Sequence, residues 1–243
     1  MMDTVQDSFV ELLAQRGMEL SERQLQQFEA YYKLLVEWNE KMNLTAITER
    51  EQVYLKHFYD SLSLSFFYRV QDATMLADIG SGAGFPSLPL KIAFPHMRVT
   101  IVDSLNKRIM FLRELVQELG LEHVECVHGR AEDVSRLPAY RDRFDLVTAR
   151  AVARLNVLAE FCLPFVRKGG AFLAMKGSEV EGELQEAAFS FAELKGAVAQ
   201  VHQMELPIEH SIRHFVQIDK LGATPGKYPR KAGLPLKTPL LGK

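Results

Sequence analysis

The stretch Met75-Leu-Ala-Asp-Ile-Gly80-Ser-Gly82-Ala-Gly84-Phe-Pro86, followed by Val99-Thr-Ile-Val-Asp103, decides the fold of this chain. A short apolar run, suited to one buried strand, breaks into a turn carrying three glycines. A second apolar run then ends in a carboxylate 19 residues after Gly84. In a parallel α/β sheet both features fall at the carboxyl ends of neighbouring strands, where ligands bind. Glycines at alternate positions let the backbone turn with positive φ and leave no side chain between backbone and ligand. A carboxylate ending the next strand is placed to accept hydrogen bonds from two ribose hydroxyls. The stretch therefore predicts a nucleoside ligand, with Gly80, Gly82 and Gly84 in the loop and Asp103 on the sugar.

Outward from this stretch, apolar runs alternate with helical periodicity. Strands are predicted at 75–79, 98–102, 124–127, 144–148, 171–175, 197–205 and 213–221, with helices near 86–94, 105–119, 152–166 and 179–193. Pro207 to Ser211 leaves no room for a helix, so the last two strands form an antiparallel hairpin. The first 70 residues read as all-helical. Val5, Phe9, Leu12 and Leu13 fall at helical spacing, and Ser21 with Gln24 has the form of a capping box. A stripe of Leu25, Phe28, Tyr32, Leu35 and Met42 follows it. Thr48 with Glu51 repeats the capping signal ahead of Val53, Leu55, Phe58 and Leu62. The predicted class is α/β, a seven-stranded doubly wound sheet with an N-terminal helical extension, divided as 1–70, 71–221 and 222–243.

Bulk properties narrow the function classes. A chain of 243 residues that is 47% apolar can bury a substantial core. No uncharged apolar run reaches the ~18 residues a membrane span needs, and the polar start lacks the basic region of a secretory signal. A cytoplasmic, monomeric protein without membrane attachment is expected. Cys126 and Cys162 lie apart, with no CxxC or His/Cys cluster, so neither disulfides nor a metal site is expected. The net charge of −2 is unevenly spread: from Lys220 onward there are six Lys or Arg and no acid, which leaves residues 1–219 at −8. The Pro/Gly-rich end excludes regular structure and offers extended segments, a docking surface for phosphates.

Spacing separates two nucleoside-binding classes. Dinucleotide dehydrogenases place the third glycine three residues after the second, whereas Gly82 and Gly84 are two apart. That spacing resembles S-adenosylmethionine-dependent methyltransferases of class I, whose sheets also end in an antiparallel pair. In this architecture the loop His128-Gly-Arg130-Ala131-Glu132-Asp133 lies over the adenine, where an acidic side chain or a backbone carbonyl can accept from the exocyclic amine. Strand four ends at Arg150, facing the switch-point crevice. Lys107, Arg108, Arg113, Arg130, Arg150, Arg154 and Lys176 fall at or near strand carboxyl ends, a basic rim that suits a polyanionic acceptor. Asn/Asp-Pro-Pro-aromatic, typical of amine methylation, is replaced here by Thr148-Ala-Arg150-Ala, and neither cysteine follows a proline as a C5-pyrimidine nucleophile would. A purine ring nitrogen needs no general base, because its lone pair attacks the sulfonium methyl directly and catalysis comes from alignment. No catalytic acid or base is assigned.

The whole pattern is similar to the bacterial 16S ribosomal RNA guanine-N7 methyltransferases, also called the glucose-inhibited division protein B family. The matching segments are Trp38-Asn39-Glu-Lys-Met-Asn43-Leu-Thr45, His57-Phe-Tyr-Asp60-Ser61-Leu62, the glycine stretch, Gly129-Arg130-Ala131-Glu132, Thr148-Ala-Arg150-Ala, Lys176-Gly and Tyr228-Pro-Arg230-Lys-Ala-Gly-Leu-Pro. The resemblance implies S-adenosylmethionine as donor and, as acceptor, a guanosine in the decoding-region loop of 16S rRNA in the small ribosomal subunit. It implies that Gly80 and Phe85 contact the donor, that Ala131 and Glu132 hold its adenosine part, and that Arg150 lines the shared pocket. It also places Arg130, Arg150 and Lys176 with residues that engage RNA or donor, and has Asn39, Asn43, His57 and Asp60 link the helical extension to the pocket. Arg230, in the basic tail, is assigned to RNA. Rival readings are a methyltransferase for a small metabolite, a nicotinamide dehydrogenase and a non-catalytic RNA-binding scaffold.

Overall fold

The computed structural model describes residues 3–177 and 180–242. Seven strands, β1 (Met75–Ile79), β2 (Arg98–Asp103), β3 (Val124–His128), β4 (Phe144–Arg150), β5 (Val166–Lys176), β6 (Gly196–Glu205) and β7 (Ile212–Lys220), form one sheet in the order β3-β2-β1-β4-β5-β7-β6. All pairings are parallel except those of β7, which runs antiparallel to β5 and β6. The chain reverses direction across the sheet between β1 and β4, so a crevice opens above their carboxyl ends. In β1, Leu76 to Ile79 are buried, as expected of a central strand covered on both faces.

The N-terminal helices α1 (Thr4–Ala14) and α2 (Glu22–Met42) lie on one face of this sheet. The Ser21–Gln24 capping box forms: the Ser21 amide donates to Gln24 Oε1 at 2.8 Å, and Ser21 Oγ accepts from the Gln24 amide at 3.4 Å. The buried face of α2 is Phe28, Tyr31 and Leu35. Tyr31, not Tyr32, is the fully buried tyrosine, because its ring reaches the glycine turn and its hydroxyl donates to the Ala83 carbonyl at 2.6 Å. Phe9, Phe28, Tyr31 and Phe58 pack ring to ring. They belong to the same core as Leu76, Val99 and Ile101 of the sheet. Each such side chain contributes about 1.5–3 kcal/mol by burial.

The second capping signal is corrected. Glu49, not Thr48, stands at the N-cap of α3 (Arg50–Val53), with no side-chain hydrogen bond. Arg50 instead ties this start to Asp3 and Glu29, at 2.5 and 2.6 Å. A π-helical turn (Tyr54–Tyr59) then runs into α4 (Asp60–Leu62), and both are buried.

Helices α5 (Ser87–Ala93), α6 (Asn106–Glu118), α7 (Ala131–Val134), α8 (Leu155–Cys162) and α9 (Glu181–Glu193) provide the crossovers. The helix expected at 152–166 is shorter at both ends, since residues 151–153 bend away from β4 and β5 already begins at Val166. The expectation of no regular structure after residue 221 is also corrected: α10 (Leu234–Lys237) is one helical turn, opened by Gly233 at φ +83° with Pro235 in its first turn. Among the described residues no helix is long and apolar enough to cross a membrane, and no group of three or more His, Cys, Asp or Glu is arranged to hold a metal.

Candidate active site

Two cavities open at the carboxyl ends of the strands. The first, about 450 Å³, lies between the ends of β1 and β2 and the loop after β3, and is lined by Gly80, Asp103, Arg130, Ala131, Glu132 and Leu236 among others. Its volume falls in the range of small-molecule sites. Gly82 has φ +61°, and nothing lies within 4 Å of where a Cβ would stand. That open space beside a left-handed backbone is what a ligand-cradling turn requires. Asp103 is only 3% exposed. Its Oδ1 accepts from the Leu105 amide at 2.9 Å, while Oδ2 accepts long bonds from the Gly82 amide (3.3 Å) and Arg108 (3.4 Å). Arg108, in the first turn of α6, thereby balances its charge against Asp103 where the helix dipole disfavours a cation.

Beneath the turn, Asp78 is wholly buried. Oδ2 accepts from the Ser87 amide at 3.1 Å and Oδ1 has no partner. Burial pushes its carboxyl up to about 7.

The second cavity, about 350 Å³, is lined by Lys56, His57, Asp60, Arg150, Lys176 and Arg213, and shares Ala151 with the first. Asp60 is 3% exposed and holds two guanidiniums, Arg150 at 2.9 Å and Arg213 at 3.0 Å. Arg150 also donates to the Lys56 carbonyl at 3.2 Å and lies over the Phe85 ring, 4.9 Å from its centroid. On the same ring stack Tyr31 (5.4 Å, 8°) and His57 (4.5 Å, 19°). Burial, and next the Arg150 charge, bring His57 down to about 3, so its imidazole is neutral. His57 Nε2 meets the Thr45 hydroxyl at 2.9 Å, and the Thr45 amide donates to Asn39 Oδ1 at 2.9 Å. These contacts fix the 43–47 loop against the cavity wall.

Of the residues expected on the donor, Gly80, Asp103, Ala131 and Glu132 come together in the first cavity, joined by Arg130. Gly82, Gly84, Phe85 and Arg150 are not among its lining residues, although the Gly82 amide reaches Asp103, which is. The Phe85 ring is 4% exposed and packs in the Tyr31–His57–Arg150 stack. Gly84 is needed for packing, since a Cβ there would meet the Tyr31 hydroxyl at 2.6 Å. Arg150 and Lys176 line the second cavity. Lys176 is held by Glu183 at 2.9 Å and by the Ala153 carbonyl at 3.0 Å.

Arg230 stands at neither cavity. Its guanidinium grips Glu160 with bonds of 2.7–3.1 Å and its amide donates to the same carboxylate, so it anchors the tail rather than presenting a cation to phosphates. Glu160 is completely buried. Sequence reasoning missed Arg213, whose only signal is a cation near the start of β7, and Val152, Phe161 and Leu236, which carry none.

A sheet of this order, with a glycine turn after β1 and a carboxylate ending β2, is the fold of class I S-adenosylmethionine-dependent methyltransferases. An O-methyltransferase from Bacillus cereus, solved in complex with SAH, superposes with a TM-score of 0.58 at 17% identity, over 79% of this chain and 91% of that one. TYW2 from M. jannaschii, solved with AdoMet, gives 0.53 at 12% identity, over 68% and 76%. Within that class the chain belongs to the GidB family, rRNA small subunit methyltransferase G, whose model matches residues 24–215. A protein of Exiguobacterium sp. (strain AT1b) named ribosomal RNA small subunit methyltransferase G is 57% identical over 236 residues, 97% of this chain and 99% of the relative. One of the same name from Staphylococcus aureus (strain Newman) is 55% identical over 233 residues, 96% and 97%.

Proposed function

We propose that this chain transfers the methyl group of S-adenosylmethionine to N7 of a guanosine in the decoding-region loop of 16S rRNA, within the small ribosomal subunit. The observation that carries the reading is the pair of cavities with Ala151 in both linings, one lined by Gly80, Asp103 and the Arg130–Glu132 loop and the other by Lys56, Arg150, Lys176 and Arg213. Family membership and the names of its relatives support rRNA as the polymer.

In the first cavity Asp103 would hold the ribose and the Arg130–Glu132 loop the adenine, and the Gly80–Gly82 backbone would approach the rest of the donor. When bound, the donor supplies an electrophilic sulfonium methyl. The second cavity would receive the acceptor base. Among the described residues that line it, Asp60 and His57 are the groups able to take a proton, and neither is disposed to do so. Asp60 is engaged on both oxygens by guanidiniums, and His57 is neutral but stacked and bonded to Thr45. An acceptor that must lose a proton is poorly served there. A purine N7, with a lone pair and no hydrogen, needs only alignment along the line of transfer. Lys56, Arg150, Lys176 and Arg213 would balance the phosphates flanking the base.

The test is methyl transfer to small subunits isolated from cells lacking this protein, followed by borohydride–aniline cleavage, which breaks RNA at N7-methylguanosine. Cleavage at one guanosine of the decoding-region loop is expected. Label on an exocyclic amine, on a ribose or on a ribosomal protein would overturn the reading.

A further inference from the structure

Past β7 the chain does not leave the protein. Thr224 donates through its hydroxyl to Asp142 at 2.6 Å, and Tyr228, 5% exposed, bonds Glu193 at 2.7 Å. The Pro229 carbonyl accepts from Arg136, and Arg230 grips the buried Glu160. This path lays Gly233 and α10 across the outer side of the first cavity. The Gly233 amide donates to Glu132 Oε1 at 2.8 Å, and Leu236 becomes part of the cavity lining.

Two details separate this from a tail that merely packs. Glu132 is 4% exposed, and among the described residues only Gly233 bonds its carboxylate. One oxygen is thus fixed by the tail, which leaves the other to face the cavity. Leu236 is 57% exposed although the anchoring residues around it are buried. A large apolar side chain standing half in water at a cavity mouth, opposite Val102, Ala131, Val152 and Phe161, fits a planar apolar face arriving between them.

We infer that the segment Gly233–Leu236 is a wall of the donor site: Leu236 packs on the adenine of the donor, and the Gly233 amide orients the Glu132 carboxylate toward its exocyclic amine. The inference rests on the reading of the first cavity as the donor pocket. Donor affinity then depends on the C-terminal tail, on residues outside the strand ends that form the rest of the site. Lys231 and Lys237 flank the same segment, so the wall of the donor pocket lies within the basic stretch.

The experiment is calorimetric titration of the full chain, of the chain ended after Ala232, and of Leu236→Ser and Leu236→Met with S-adenosylhomocysteine and with 5′-methylthioadenosine. The truncation keeps Arg230 and the Glu160 anchor. Thermal unfolding without ligand runs in parallel, and the Leu236 variants should melt as the full chain does, because that side chain is exposed. Truncation should weaken both ligands about 10-fold or more. Leu236→Ser should weaken both roughly 5- to 10-fold, the loss of about 40–50 Å² of apolar contact, while Leu236→Met restores binding. Equal losses for the two ligands place the contact on the nucleoside they share. Full affinity in the truncated chain and in Leu236→Ser would overturn the inference. Failure of the full chain itself to bind S-adenosylhomocysteine would overturn the donor-pocket reading instead.

Discussion

Gly82 and Gly84 lie two residues apart in one turn and should fail in opposite ways when given a methyl group. At Gly84, φ is +99°, and an added Cβ would stand 2.6 Å from the Tyr31 hydroxyl, 2.7 Å from Leu88 Cδ1 and 3.1 Å from Leu112 Cδ2. A non-glycine residue at positive φ costs about 1–2 kcal/mol. Overpacking adds about 1–3 kcal/mol. Displacing the Tyr31 hydroxyl from the Ala83 carbonyl in a buried setting adds about 1–3 kcal/mol. One movement relieves part of each, so Gly84→Ala should destabilise the fold by about 3–5 kcal/mol. Gly82→Ala meets nothing within 4 Å and bears only the backbone cost, about 1–2 kcal/mol. Urea unfolding followed by the fluorescence of Trp38, the single tryptophan, reads both. With a slope of about 2–3 kcal/mol/M, the Gly84→Ala midpoint should fall by about 1–2 M and that of Gly82→Ala by under about 1 M. Titration with S-adenosylhomocysteine should show the reverse ranking, with Gly82→Ala losing affinity and Gly84→Ala, below its transition, retaining it. A Gly84→Ala midpoint like that of the unaltered chain, or undiminished binding by Gly82→Ala, would refute the division of the turn into a packing half and a ligand half.

Three further outcomes are expected. Asp103→Ala should lower S-adenosylhomocysteine affinity by about 1–3 kcal/mol, the loss of a charged acceptor for hydroxyls; unchanged calorimetric affinity would remove Asp103 from the donor site. Arg150→Lys keeps the charge but not the planar guanidinium that lies over Phe85 while its Nη1 donates to Asp60 and the Lys56 carbonyl, so methyl transfer to small subunits should fall at least about 10-fold with donor binding retained. Loss of donor binding instead would show that the two cavities are not separate in role. Asp78 is held near 7 in the fold against 3.8 as its ordinary value. Its folded form binds the extra proton, so the stability this contributes is present below about pH 4 and is lost as pH rises through 7. At 1.36 kcal/mol per pH unit the span is up to about 4 kcal/mol. Asp78→Asn should therefore gain on the unaltered chain between pH 5 and pH 8 in ligand-free denaturation curves, and parallel curves would contradict the burial argument.

The fold was legible because its signals are local. The strands of Leu76–Ile79 and Val99–Asp103 are continuous apolar runs, and a carboxylate at the end of one beside a glycine turn at the end of the other has few structural explanations. Gly80, Asp103, Ala131 and Glu132 gather in one cavity because all four sit at strand ends whose order the crossover rules dictate. The misplacements involve long-range pairing, which periodicity does not encode. Phe85 sits three residues past Gly82 in the same turn and faces α2 and the π-helical turn, because Tyr31 and His57 arrive from 54 and 28 residues upstream. Arg230 looks like a phosphate contact in a basic tail until Glu160, 70 residues earlier, is found buried beneath it. Leu236 carries no signal at all, since a leucine between Pro235 and Pro239 becomes a cavity wall only through the anchoring of the residues before it.

The helical extension and the tail act on the crevice from opposite sides, and both reach it through charge that is buried rather than displayed. On one side Asp60, carried by the extension, fixes Arg150 from β4 and Arg213 from β7. On the other Glu160, from α8 beneath the sheet, fixes Arg230 and so carries the chain to Gly233. Removing Arg230 would leave the buried Glu160 carboxylate without a cation, a penalty of about 3–5 kcal/mol, far above the worth of a surface pair, whereas Asp60 keeps one guanidinium when the other is lost. The arginines held by these two carboxylates therefore differ in place. Arg150 and Arg213 keep part of their surface on the acceptor cavity while paired to Asp60, so they hold shape and offer charge together. Arg230 lies at neither cavity, and its grip on Glu160 carries the chain to Gly233 and Leu236 at the rim of the first.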